Sequence, residues 1–238
     1  MEEWQSNESV NEIEAYHTKE IRRVNMGGRG ASSGGSGWTG GNSTLNPADI
    51  VSTTSLISER EGHTQEVDET LQTFKDIADE YGYIIDDIQL AVLKGDGAST
   101  MAYYDGSNIA INASYFDKVK MEKAYAQCVA DGFHPPQGTK TALQAVASHE
   151  LGHALTDAVG ARMGTIKGDT ASAILKEAKK QGKFSGTVAD MAGRISGYAQ
   201  FNPRECIAEA FSDVYCNGGK ARKESQAIVS VMNKYLKS

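Results

Sequence analysis

The sequence predicts an α+β fold with a small sheet in its N-terminal half and helices after it. Three observations carry this. Residues 64–81 repeat apolar side chains at helical spacing, residues 88–112 hold short runs of strand composition around a tight turn, and everything beyond residue 112 reads as helix. With 238 residues the chain is long enough for one good-sized domain and a tail. The expected division is an acidic arm with a Gly/Ser-rich linker over 1–54 and a folded domain over 55–238.

The elements follow in order. Residues 1–25 form an acidic arm of possible helical character, and GGRGASSGGSGWTGG at 27–41 has too little apolar surface to offset its ordering entropy, so a flexible linker is expected. Val67, Leu71, Phe74, Ile77, Ala78 and Tyr81 share one helical face, and Gly82 suits the helix end. Ile88–Leu93 reads as a strand, and Met101–Tyr104 and Ile109–Asn112 as two more around Asp105-Gly106-Ser107-Asn108. Helices are expected over Asn112 to about Val129, Thr141–Val159 with a stop at Gly160, Asp169–Gln181, Thr187–Ile195, Asn202–Gly218 and Arg222–Leu236.

Bulk composition excludes several classes. A net charge of -7 argues against nucleic acid as the main partner, because phosphate binding needs a basic face. No apolar run approaches the length of a membrane span. The N-terminus is acidic and lacks the apolar segment of a secretory signal. Three cysteines, Cys128, Cys206 and Cys216, are too few and odd in number for a disulfide framework. The expected setting is a reducing cytoplasm, with virion association or signal-independent release still open.

The chemistry concentrates in Ser148-His149-Glu150-Leu151-Gly152-His153. On a helix His149 and His153 project from one face a turn apart, and two imidazoles so placed can bind one Zn²⁺. Glu150 would then stand beside the metal as a base for an activated water. Burying these three groups unpartnered in a helix rich in Leu143, Ala145, Val146, Ala147, Leu151, Ala154 and Leu155 would cost several kcal/mol, which favours a metal over an ordinary helix. A catalytic zinc wants a third protein ligand. Val159 stands six residues after His153, and no histidine lies downstream, so carboxylates are the candidates. Asn202-Pro203 opens a helix well, with Glu205 and Glu209 a turn apart on one face and Ile207, Ala210, Phe211 and Val214 on an apolar side. Asn202-x-x-Glu205 also fits an Asn-headed capping box, in which Glu205 only satisfies the helix end and Glu209 is solvated.

HELGH followed by a glutamate-bearing helix resembles the glutamate-type zincins, the thermolysin-like branch of metallopeptidases. Within that branch the likeness is to the anthrax-lethal-factor-like peptidases and related domains of phage proteins. Those carry a tyrosine seven residues before the glutamate ligand and an AE-x-F run after it; Tyr198 precedes Glu205 by seven, and Ala208-Glu209-Ala210-Phe211 follows. The resemblance covers about residues 65–217. It implies a zincin-like domain in which His149, His153 and Glu205 bind zinc, Glu150 is the general base and Tyr198 stabilises the oxyanion. It further implies that Glu209 holds a histidine ligand in place and that Ile109, Ala110 and Ile111 form a sheet edge that pairs with an extended substrate. Asp157, four residues after His153, is a candidate for work similar to that of Glu209, though an exposed helix carboxylate is its simpler role. The implied activity is endopeptidase cleavage of a peptide or protein substrate, with a phage-particle or host-protein partner in view. The alternative is a phage-particle structural or partner-binding module whose zinc only holds the fold. One departure stands out: the interval between His153 and Glu205 is long.

Other residues carry weaker expectations. His134, in a loop before Pro135-Pro136, could line the cleft but reads more simply as structural. His17 and His63 lie outside the motif, Cys206 is a second choice as zinc ligand, and Cys128 and Cys216 suit helix packing. Trp4 and Trp38 are possible contact points for a partner.

Overall fold

The computed structural model describes residues 27–28, 45–83, 87–165 and 167–238. The arm, with Trp4 and His17, and Trp38 of the linker lie outside the described residues. Strands are β1 (Gly27–Gly28), β2 (Ile50–Ser55), β3 (Ile88–Leu93), β4 (Ala102–Tyr104) and β5 (Ile109–Asn112), and helices are α1 (Thr64–Tyr81), α2 (Lys118–Ala130), α3 (Ala142–Met163), α4 (Lys167–Gly182), α5 (Val188–Gly193), α6 (Pro203–Asn217) and α7 (Lys223–Leu236). The order confirms the α+β class: a small mixed sheet comes first and helices follow.

The sheet runs β1-β4-β5-β3-β2. β4 and β5 form an antiparallel hairpin through residues 105–108, where the Asp105 carboxylate accepts from the N–H groups of Ser107 and Asn108. β3 pairs parallel to the other side of β5, and β2 closes the sheet antiparallel to β3. This corrects the expectation that Ile109, Ala110 and Ile111 line a sheet edge: β5 is central, bonded on both sides, with every residue buried. The reason is visible in its composition. A run that is apolar on both faces suits a strand covered from both sides, whereas edges tend to alternate or carry charge.

The folded part also starts earlier than residue 55, because β2 ends there. Its Val51-Ser52-Thr53-Thr54 run is solvent-exposed and mostly polar, so it lacks the apolar alternation that marks a strand. Gly27–Gly28, expected in the linker, pairs parallel with Tyr103 and Tyr104 of β4.

α1 matches its expected span and ends on Gly82 in the left-handed region (φ 63°). α2 begins later than expected, at Lys118, because Asp117 caps it. Asn112 instead ends β5 in a turn, donating to the carbonyls of Ala98 and Thr100 and accepting from Ser114 N–H. α3 runs past Gly160 to Met163 and stops at Gly164. Gly160 is a contact residue and not a terminator: a Cβ there would stand 2.6 Å from Thr170 Oγ1 of α4.

Two buried clusters meet along α3. One joins α1, the C-terminal part of α3 and α4–α7 through Phe74, Leu151, Leu155, Ile174, Ile207, Phe211, Ile228 and Met232. The other joins the sheet, α2 and the start of α3 through Leu90, Ile111, Met121, Tyr125, Leu143 and Val146. α3 is therefore buried on nearly all sides, with His149, Glu150 and His153 at the junction.

Candidate metal centre

Two helices position the site. Thr141 and Gln144 form a reciprocal capping box that starts α3. Asn202 caps α6 by accepting from the N–H groups of Arg204 and Glu205, and Pro203 takes the first helical position. The helices cross closely at Gly152, where a Cβ would lie 2.8 Å from Ala208 Cα and 3.1 Å from Phe211 Cβ. A second link lies one turn away: the hydroxyls of Ser148 and Ser212 are 3.1 Å apart and both donate to the Ala145 carbonyl. The glycine inside the histidine motif thus lets the glutamate helix approach the imidazoles.

His149, His153 and Glu205 come together, all fully buried, as a group that could hold a metal ion, with one ligand-capable atom from each within 4.8 Å of the others. Glu205 Oε2 is 3.1 Å from His149 Nε2 and 3.3 Å from His153 Nε2. Ligands about 2.0–2.2 Å from one tetrahedral ion stand roughly 3.3 Å apart, so this spacing suits a shared cation. The His153 contact lies outside hydrogen-bond geometry, and neither of its ring nitrogens has a hydrogen-bond partner. Buried nitrogens without partners are costly, and a cation among them removes part of that cost.

Glu150 stands beside this group, fully buried, with neither carboxylate oxygen hydrogen-bonded. Burial pushes its carboxyl up to about 8, while His149 and the backbone of Tyr104 in β4 both pull it down. Burial would lower His149, but hydrogen bonds to Glu205 and Glu209 outweigh it and raise the imidazole to about 10. A proton on His149 thus holds the carboxylates together where a cation would otherwise do so. Burial lowers His153, with Glu205 opposing, which favours its neutral form. Burial would raise Glu205, but the two histidines hold it at about 2.

A further ring of contacts surrounds the cluster. Glu209, one turn after Glu205, accepts from His149 Nδ1 at 2.9 Å through Oε1. The same oxygen faces His134 Nδ1 at 3.1 Å, and Oε2 accepts from the Ser196 hydroxyl at 2.6 Å. Tyr198 is fully buried in a short 3-10 turn, its ring stacked on His149 (centroids 5.8 Å apart). Burial, and then Glu205, Glu150 and Glu209, hold its phenol well above the ordinary range, so it stays protonated beside Glu205. The turn is placed by backbone pairing: Gly197 N–H donates to Gly132 C=O and Tyr198 N–H to Phe133 C=O. Asp157 fits neither expected role, that of an exposed helix carboxylate or that of a partner holding a histidine. It accepts from Arg204 at 2.6 Å in a largely buried ion pair, while His153 Nδ1 has no hydrogen-bond partner. Arg204 lies C-terminal to Asp157 by 47 residues, so no local spacing could show this pairing.

Cys206 is buried among apolar side chains and is not part of the metal-capable group. His134, Ser196, Tyr104 and Gly152 are the residues that sequence reasoning did not assign to the site. Only Gly152 left a local signal, a glycine inside a helix. The chain matches no protein family, no curated protein and no solved structure. Among the described residues no helix is long and apolar enough to cross a membrane.

Proposed function

We propose that the chain is a zinc-dependent endopeptidase with a zincin-like catalytic domain. The observation that carries this reading is Glu150: a buried carboxylate with no hydrogen-bond partner, beside a group of three potential ligands and not among them. Structural zinc sites close with four protein ligands, whereas catalytic ones keep a position open. Two imidazoles with a carboxylate are a donor set that suits zinc.

His149, His153 and Glu205 would hold the ion. When bound, it supplies a Lewis acid that polarises a carbonyl and makes water acidic enough to attack near neutral pH. Glu150 takes the proton from that water and passes it to the leaving amine. A cation nearby would also lower Glu150 from the value burial gives it, so that it can act as a base. Tyr198, kept protonated, donates its hydroxyl to the oxyanion that develops on the scissile carbonyl. Glu209 keeps the proton of His149 on Nδ1, which frees Nε2 for the metal. An extended peptide would pair along β4 in place of Gly27–Gly28, which lies parallel against Tyr103 and Tyr104 on the side of β4 away from β5.

The test is digestion of a peptide library by the zinc-loaded chain, with and without a chelator. Cleavage that chelation abolishes and zinc restores supports the reading. One tightly held zinc per chain with no cleavage of any peptide would make the zinc structural.

A further inference from the structure

His134 lies in a loop 15 residues before the histidine motif and touches no metal-ligand nitrogen or oxygen in the hydrogen-bond network, yet it shares an oxygen with His149. A carboxylate ion can only accept, so both imidazoles present Nδ1–H to Glu209 Oε1. Ser196 occupies Oε2, giving the carboxylate three donors from three separate segments of chain. The His134 ring is clamped for this purpose. It stacks on Tyr125 at 5.5 Å and 8°, and the edges of Phe133 and Tyr198 meet it from the sides. Tyr125 is itself fixed by donating to the Pro135 carbonyl at 3.0 Å.

The other nitrogen of His134, Nε2, is buried and has no hydrogen-bond partner. A ring needed only to fill this aromatic pocket would be better as phenylalanine, which brings no polar atom to desolvate. The imidazole is therefore explained by its one bond, the one to Glu209.

We infer that His134 is a positioning residue of the metal centre. It acts through Glu209 on His149 and so strengthens the hold on the cation without touching it. With His134, His149 and Ser196 all donating, the Glu209 carboxylate is held from three segments of chain, and the His149 ring presents Nε2 to Glu205. This rests on the metal-centre reading above, but not on peptide cleavage.

The test compares the full chain with His134→Phe and His134→Gln. Zinc affinity is measured by competition with a chromophoric chelator, and the melting temperature of each metal-free protein is recorded alongside. His134→Phe keeps the aromatic stack and loses the donor, so zinc binding should weaken about tenfold, the low end for groups that orient a ligand from behind. Metal-free melting should fall modestly with the lost bond to Glu209, so affinities are compared at a temperature where every metal-free protein is folded. His134→Gln can donate from a similar position and should recover most of the affinity. The visible spectrum of the cobalt-substituted Phe variant should also change, since the His149 ring is less constrained. Unaltered zinc affinity in His134→Phe overturns the inference alone. No zinc affinity in the native chain overturns the metal centre and the inference with it. Should His134→Phe fail to fold, the ring ¹⁵N resonances of the native chain decide: hydrogen on Nδ1 of both His134 and His149 is expected, and a bare Nδ1 on His134 contradicts it.

Discussion

Three carboxylates, Glu150, Glu205 and Glu209, sit fully buried with His149, His153 and His134, and protons must share out among them when no cation is present. Glu205 and Glu209 are held at about 2 against an ordinary 4.5, so their contribution to stability is present above 4.5 and is lost as pH falls toward 2. His149, raised to about 10 from 6.5, contributes stability fully below 6.5 and loses it as pH rises through 10. Glu150, raised to about 8 from 4.5, costs stability increasingly between those two values. His153, lowered from 6.5 by burial, costs stability below that value and so offsets Glu150 there. The metal-free protein should thus be most stable between about pH 4.5 and 6.5 and weaker on both sides, measured by urea midpoints after chelation. A stability that climbs steadily from pH 4.5 to 8 contradicts these assignments. Zinc must displace the His149 proton, so binding should release protons and tighten as pH rises, readable by calorimetry in two buffers. Removing a ligand has a plainer result. His149→Ala and Glu205→Ala should lose bound zinc, while Cys206→Ala keeps it; the reverse outcome would replace Glu205 by the thiol as third ligand. At this scale the sequence showed much, because His149, Glu150 and His153 are related by helical spacing alone. Asp157 and His134 were opaque, because their partners lie 47 and 75 residues away.

α3 and α6 meet because position 152 has no side chain. Gly152→Ala would drive a methyl into the Ala208 backbone at 2.8 Å, forcing the helices apart. Overpacking of this kind costs about 1–3 kcal/mol, and here zinc affinity should fall with stability, because Glu205 moves with α6. Denaturation and chelator competition on the same variant check both. A stable Gly152→Ala with native affinity would mean that the crossing is loose. Asn202→Ala, removing the cap one turn before Glu205, should cost about 1 kcal/mol in chemical denaturation. Most elements were legible as elements. Apolar period and glycine stops mark α1 and β3 to the residue, while Asp117 moves the start of α2 to Lys118. Pairing was legible only in part: the apolar run of β5 suits a covered strand but names no neighbours, and the parallel addition of β3 makes it central. Glycine was ambiguous for the same reason, since Gly164 ends α3 while Gly160 merely admits Thr170.

Over the whole molecule the sheet, α2 and the loop at 132–136 close on one side of α3, and α4–α7 close on the other. A cation held by His149 and His153 of α3 and Glu205 of α6 would tie the central helix to the α4–α7 side, so removing it should loosen that packing and not one loop. Ligand that binds only the folded state stabilises it by about 2.7 kcal/mol at a hundred times its Kd. Chelation should therefore lower the melting temperature of the full chain by several degrees, and His149→Ala should show no such shift. The α+β order was readable because strand composition ends at residue 112 and helical periods alone follow it. The depth of the site was not, because burial of His149, Glu150 and Glu205 comes from packing between segments far apart in sequence.

The most direct measurement pairs the native chain with Glu150→Gln, both assayed for zinc content and for cleavage of the same peptide library. The expected result is about one zinc per chain in each, cleavage by the native protein, and none by the variant. Equal cleavage by both would remove Glu150 from the chemistry, and loss of zinc from the variant would make it a ligand instead of a base.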